Sequence, residues 1–238
     1  MDLKRSLLVL SMSAICLSSC TVVASMEGLA DVQSKNYSQA LVKFNEVIKD
    51  QPSNAFAYVC RAQAFVGLRM YENALYDCNK ALELDPKLSA AYGLRAMANS
   101  ELGKAKESLD DSDKLVELEP KLGLAYNNRA CALQALGKQQ AAIADCERAL
   151  ALQSTGETAS TAHVTRGYSY GMLGNEKAQM SDYDAAIACS SVNASAYLYR
   201  AKVLEKEGKA PLASKDRAKA KQLGYTPDPF VAGQLKQK

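Results

Sequence analysis

One phrase, written five times, constrains this chain more than any other feature. YVCRA begins at Tyr58 and returns as YGLRA at Tyr92, YNNRA at Tyr126, HVTRG at His163 and YLYRA at Tyr197. The copies stand 34, 34, 37 and 34 residues apart, and Pro52, Pro86 and Pro120 keep the same 34-residue step. A period of this length marks stacked helix–turn–helix units, each too small to bury its apolar face without a neighbour. Laid over one another, the segments give six registers: 21–54, 55–88, 89–122, 123–156, 160–193 and 194–227. The one insertion is Glu157 to Ala159, inside the polar stretch STGETAST.

The register explains individual residues. Its eighth position holds Gly28, Ala62, Ala96, Ala130, Gly167 and Ala201, always small, so that two helices can approach closely. The facing twentieth position holds Ala40, Ala74, Ser108, Ala142 and Ala213, with Gln179 the exception, where the neighbouring Ala178 is expected to take over the contact. Gly103, Gly137, Gly174 and Gly208 occupy the turn between the helices, where a left-handed residue ends the first one. Lys35 and Arg69 stand there in the first two repeats and predict less favourable turns. The prolines stop the second helix. Ser154, Ser191 and Tyr225 replace them later, so helix ends are less defined past residue 150.

Large residues at position 4, small ones at 8 and 20 and proline at 32, as in YVCRAQAFVGLRMYENALYDCNKALELDP, resemble the tetratricopeptide repeat family. The resemblance is specific in repeats two to four, weaker in the first and fifth, and partial in the sixth. It implies an all-α, right-handed α-solenoid of about six repeats over residues 21–227, followed by a tail over 228–238.

Arg61, Arg95, Arg129, Arg166 and Arg200 are each followed sixteen residues later by Asp77, Asp111, Asp145, Asp182 and Asp216. The first repeat has Glu27 and Lys43 at the same positions, with both signs exchanged. This pattern predicts an ion pair joining the two helices of each repeat. As exposed pairs they would be worth about 0–1 kcal/mol each.

The chain opens differently. Lys4 and Arg5 precede an apolar run from Leu7 to Leu17, the layout of a secretory signal, and too short to span a bilayer, which takes about 20 apolar residues. LSSC at Leu17 to Cys20 resembles the lipobox of bacterial lipoproteins, which implies a signal peptide over 1–19, lipidation of Cys20 and a membrane anchor. Cleavage after Ala24, at VVA, is the rival export reading, and an apolar first helix of a cytosolic protein is the third. Thr21 follows the cysteine where inner-membrane lipoproteins of two-membrane bacteria usually carry aspartate. The resemblance thus implies the cell envelope, on the periplasmic side of the outer membrane if the source has two membranes.

Function in such a solenoid is expected on its concave face, which the resemblance assigns to the first helix of each repeat. The residues expected to meet a partner there are Phe56, Cys60, Gln63, Met97, Asn127, Asn128, Gln134, Thr165, Tyr168 and Tyr199. Their chemistry is apolar and neutral, suited to a protein peptide or helix lying in a groove. Val59, Leu94 and Val164 face either the groove or the core, whereas the amides of Asn127, Asn128 and Gln134 would each need several partners if buried. The carboxylate clamp of cytosolic co-chaperones is disfavoured: Asn128 stands at its middle asparagine, but Gly93, Met97, Thr161 and Thr165 are not the Lys, Asn or Arg it requires.

Other function classes find little support. The formal charge of +3 comes from 29 basic and 26 acidic residues with no basic cluster interleaved with aromatics, which argues against nucleic acid. The only histidine, His163, sits at the position of the repeated tyrosine and reads as a packing or capping residue. Phosphate loops and hydrolase motifs are absent, so neither enzyme, metal, cofactor nor small-molecule substrate is expected. Of the cysteines past the leader, Cys60, Cys78, Cys131, Cys146 and Cys189, an odd number cannot all pair. Cys78 and Cys146 share the position of Phe44 and Tyr183 and read as core, while a Cys131–Cys146 bridge is the less favoured alternative. The lysine-rich second helix of the last repeat reads as a solvated cap. The sequence thus predicts a non-catalytic scaffold or adaptor, with a cytosolic co-chaperone-like adaptor or a soluble exported protein as alternatives.

Overall fold

The computed structural model describes the backbone of residues 19–225 and the side chains of residues 23–225. The leader and the tail over 228–238 lie outside the described residues, and of Cys20 only the backbone is described. Twelve helices and no strand are found among the described residues. They pair as α1 (Ser19–Gln33) with α2 (Tyr37–Asp50), α3 (Ala55–Gly67) with α4 (Tyr71–Leu84), and α5 (Ser89–Glu101) with α6 (Ala105–Leu118). Then follow α7 (Gly123–Ala135) with α8 (Gln139–Leu152), α9 (Gly156–Met172) with α10 (Glu176–Cys189), and α11 (Ala194–Lys206) with α12 (Ala210–Gln222). None of these helices is long and apolar enough to cross a membrane.

Each helix packs on its chain neighbours, and the odd-numbered helices of successive repeats also pack on one another, whereas no two even-numbered helices do so to the same degree. The stack is therefore tighter on the odd-helix side, which makes that side the inner, concave layer.

Small residues make this closeness possible. Ala62, Ala96, Ala130 and Ala201 are buried opposite Ala74, Ser108, Ala142 and Ala213. Where the position-24 residue is a large aromatic, the eighth position shrinks to glycine: a Cβ on Gly28 would come within 2.9 Å of Phe44 Cζ, and one on Gly167 within 2.9 Å of Tyr183 Cε1. Repeats two to four fill the same space with alanine against Cys78, Ser112 and Cys146. Gln179 is accommodated by Gly171, whose missing side chain leaves the room the amide occupies. Ala178, expected to replace it, is only half-buried.

The turns follow the register closely. Gly103, Gly137, Gly174 and Gly208 have φ between 73° and 78°, and Lys35 and Arg69 adopt φ of 63° and 61° at the same place, a conformation that costs a side-chain-bearing residue about 1 kcal/mol. After each, the chain closes back on the helix, as when Lys104 N–H donates to the Asn99 carbonyl at 2.8 Å. The missing prolines matter less than expected. α8 and α10 end at Leu152 and Cys189, the same register as Leu84 and Leu118, through extended residues Gln153 and Ser190 that resemble Asp85. The insertion Glu157 to Ala159 is helical: it lengthens α9 to 17 residues against 13 in α3, α5, α7 and α11, and it buries Ala159.

The arginine–aspartate pairs form, but they are not exposed. Arg61 donates through Nε and Nη2 to both oxygens of Asp77 at 2.7 Å each, and the Asp77 side chain is 0% exposed. Asp111, Asp145, Asp182 and Asp216 are likewise buried beneath half-buried arginines. Each guanidinium has a further nitrogen to satisfy, and most direct it at the preceding repeat. Nη1 of Arg61, Arg95, Arg129 and Arg200 reaches Asn45, Asn79, Asp113 and Asp184 at 2.6, 2.7, 3.1 and 2.8 Å. Tyr58, Tyr92, Tyr126 and Tyr197 lie beneath these same arginines, with ring centroids 5.5 to 5.8 Å from the guanidinium carbon. The result is a ladder in which one residue ties three helices.

Candidate functional site

The fifth repeat departs from the ladder. His163 replaces the tyrosine and places Nδ1 2.8 Å from Asp182 Oδ1, while Arg166 binds both oxygens of Asp182 at 2.7 and 2.9 Å. Burial alone would push the Asp182 carboxyl up, but the hydrogen bonds from His163 and Arg166 outweigh it and hold the carboxyl below its ordinary value. The histidine is thus engaged in joining α9 to α10, a structural use.

Beside it the concave layer opens into a cavity of about 310 Å³. Its floor is α9, which contributes Thr161, Val164, Thr165 and Tyr168, the spacing of one helical stripe. α7 adds Cys131, Gln134 and Ala135, again at steps of three and four, and α11 adds Ser195 and Tyr199 after the capping residue Asn193. Ser100, Glu101 and Gly103, at the end of α5, close the far side. The cavity meets α5 and α7 near their C-terminal ends, α9 at its centre and α11 near its start, so it crosses the four inner helices diagonally. The local geometry is fixed by packing: Tyr168 meets Tyr199 edge to face at 5.9 Å, and Tyr199 stacks on Tyr183 at 5.9 Å.

Of the residues expected to meet a partner, Gln134, Thr165, Tyr168 and Tyr199 come together here. Phe56, Cys60, Gln63, Met97, Asn127 and Asn128 do not line this cavity. Phe56 and Cys60 join the core cluster between the first two repeats. Met97 is 41% exposed on α5, and Gln63 is half-buried on α3. Asn127 corrects the expectation that its amide stays at the surface: it is only 3% exposed, and its Oδ1, like Asn128 Nδ2, is buried without a hydrogen-bond partner among the described residues. Thr165 is also largely buried, its hydroxyl donating to the Thr161 carbonyl at 3.1 Å, and Gln134 Nε2 donates to the Thr165 carbonyl at 3.4 Å. Val59 and Val164 both belong to core clusters, and of the two only Val164 also lines the cavity.

Glu101 and Ala135, at the thirteenth register position, and Thr161 and Ser195, at the second, also line the cavity, although they are not among the residues expected to meet a partner. The diagonal course of the groove selects them: the thirteenth position where it meets α5 and α7, the second where it meets α9 and α11.

Among the described residues no disulfide joins Cys60, Cys78, Cys131, Cys146 or Cys189. Burial pushes the Cys60 and Cys78 thiols up to about 12, which removes their thiolate reactivity at neutral pH. Among the described residues no group of His, Cys, Asp and Glu is arranged to hold a metal ion.

The tetratricopeptide repeat model matches residues 124–155, the fourth repeat, α7 and α8. No curated protein matches the chain in sequence. Among solved structures the chain is similar to a tetratricopeptide repeat protein from Parabacteroides merdae, at 20% identity and a TM-score of 0.74, over 91% of this chain and 83% of that one. It is also similar to a thermophilic tetratricopeptide repeat protein of Thermus thermophilus, at 17% identity and a TM-score of 0.65, over 77% and 98%. A third neighbour is MamA from Desulfovibrio magneticus, at 14% identity and a TM-score of 0.63, over 75% and 99%. The architecture is that of a tetratricopeptide-repeat solenoid, an all-α repeat fold whose inner helices form a groove.

Proposed function

We propose that this chain is a non-catalytic protein–protein interaction scaffold of the bacterial cell envelope, which holds a partner segment in the groove across α5, α7, α9 and α11. The observation that carries this reading is the cavity itself, where side-chain stripes of three consecutive inner helices converge with the end of a fourth. Its lining of tyrosine, threonine, glutamine and aliphatic side chains offers apolar area and a few hydrogen bonds, as helix-in-groove recognition requires. None of its residues is arranged as a nucleophile–base pair.

The anchoring reading rests on LSSC at Leu17 to Cys20. Cys20 is helical in backbone, within the described α1 of Ser19–Gln33. A lipid on that residue would hold the solenoid close against the bilayer with no linker between. The cytosolic co-chaperone alternative is the weaker one, since Asn128, the one clamp residue present, lies outside the cavity and directs its Nδ2 into the protein.

Site-specific photo-crosslinking in a bacterial host tests the groove. A crosslinker at Gln134 should trap a discrete partner that one at Lys114, exposed on α6, does not, and Tyr168→Ala should abolish the adduct without loss of helicity. Equal trapping from both positions would end the groove reading. For the anchor, a mature chain beginning at an acylated Cys20, lost in Cys20→Ser, is the expected mass; an uncleaved chain would return the protein to the cytosol.

A further inference from the structure

Every carboxylate of the last helix pair already has a partner. Asp216 accepts from Arg200 Nε and Nη2 at 2.7 and 2.8 Å, and Glu205 accepts from Arg217 Nε and Nη2 at 2.6 Å each. Glu207 lies 2.9 Å from Lys209 Nζ. Lys202, Lys206, Lys215, Lys219 and Lys221 are left with no ion pair among the described residues.

Two of these five stand apart from the rest, on the groove side. Ser195 and Tyr199 of α11 line the cavity, and Lys202 and Lys206 continue their stripe at steps of three and four residues. Lys202 is half-buried, with Nζ 5.0 Å from the centroid of the Tyr199 ring. Burial first, and the Arg217 charge second, hold its ammonium below the ordinary lysine range. Among the described residues, the carboxylate that acts on it from nearby, Glu205, has both oxygens taken by Arg217. A half-desolvated cation whose neighbouring carboxylate is already engaged is a place where an incoming anion gains more than it would at an open surface. The charged group lining the opposite end of the cavity is acidic: Glu101, whose Oε2 accepts the Tyr71 hydroxyl at 3.0 Å. The groove is therefore polarised, negative where it leaves α5 and positive where it leaves α11.

We infer that the groove's partner is an acidic peptide segment, whose Asp or Glu carboxylate seats against Lys202 with Lys206 behind it, while an adjoining apolar side chain enters the cavity beside Tyr168 and Tyr199. This rests on the groove reading proposed above and adds the partner's chemistry and direction to it. The lysines of α12 could meet any anionic surface, including a bilayer. Lys202, recessed against Tyr199 on the concave side, suits a narrow chain and not a flat membrane.

The test is selection of a displayed random-peptide library on the purified full chain. The wild type is compared with Lys202→Gln/Lys206→Gln, Lys215→Gln/Lys219→Gln and Gln134→Ala/Tyr168→Ala, each checked for unchanged helicity. The wild-type pool should be several-fold enriched in Asp and Glu over the input. Single clones from it should lose about ten-fold in affinity on Lys202→Gln/Lys206→Gln and keep it on Lys215→Gln/Lys219→Gln. A pool that depends on Tyr168 but shows no acidic enrichment would overturn the inference and leave the groove standing. Clones insensitive to Gln134→Ala/Tyr168→Ala would remove the groove itself. An acidic pool sensitive only to the α12 variants would move anion binding to the outer face and sink the inference. So would binding to phosphatidylglycerol vesicles that is lost on Lys202→Gln, since the site would then serve a lipid surface.

Discussion

Repeats two to four and repeat five share a register and differ in nearly everything the register leaves open. In the regular repeats an alanine faces a cysteine or serine, a tyrosine lies under the ladder arginine, and the inner helix is 13 residues long. In the fifth, Gly167 faces Tyr183, His163 replaces the tyrosine, Gly171 yields to Gln179, and the inner helix has 17 residues. The cavity has its floor on that irregular helix. Repetition supplies a stack, and the departures from it give one stretch of the inner face a shape of its own.

That contrast can be broken experimentally, most violently at the ladder. Asp77→Ala would strand the Arg61 guanidinium beside a buried space and should cost about 3–5 kcal/mol, whereas Asp113→Ala, which removes the exposed acceptor of Arg129, should cost under about 1 kcal/mol. Urea denaturation of the two variants measures the difference, and equal effects would return the pairs to the surface class. Next comes the exchange of small and large. Cys146→Phe alone should cost about 1–3 kcal/mol by overpacking against Ala130, and adding Ala130→Gly should restore most of it, because that pair copies Gly28 with Phe44. A failure of the second substitution to rescue the first would show that glycine and aromatic are not matched across the helix pair.

Asp182 gives a smaller, pH-dependent effect. Its folded-state pKa is depressed, so its contribution to stability is fully present above the ordinary carboxylate value of about 4 and is lost as pH falls through the lowered one. His163→Ala removes one of the bonds that depress it. The variant should be about 1 kcal/mol less stable at neutral pH, and the gap to wild type should narrow in acid. Smallest of all, Ser169→Ala should stabilise the fifth repeat by about 1 kcal/mol or less, since the buried Ser169 Oγ has no hydrogen-bond partner among the described residues. A loss of stability there would mean that the hydroxyl is satisfied in solution.

Much of the scaffold was legible in the sequence because it is written in repeated single letters. Alanines at 8 and 20, glycines in the turns and the Arg–Asp step of sixteen each name a contact. What the letters lack is depth. The Arg–Asp step shows that Arg61 meets Asp77 but not that tyrosine and a second helix cover the pair, so its worth was underestimated. Asn127 shares its register position with the cavity residue Val164, yet packing from neighbouring helices buries it, and Thr165 lines the cavity while being almost wholly buried. The course of the cavity was hidden for a related reason: it crosses the inner helices diagonally, so Glu101 enters from the thirteenth position of its repeat and Thr161 and Ser195 from the second position of theirs.

The arginine ladder also has a first rung and a last. Each ladder arginine sits on one repeat, and its Nη1 acceptor, where it has one, sits on the repeat before. The first repeat carries Glu27 in place of the arginine, paired with Lys43 at 2.7 Å, and the sixth carries Ala218 in place of the acceptor. If two copies were set end to end in the sense of the internal stack, Glu27 of one would face Ala218 of the other, and no rung could form. The pattern that holds neighbouring repeats in step therefore withholds its bond at the joint where open-ended, head-to-tail growth would begin. A repeating device is in this way confined to a finite object.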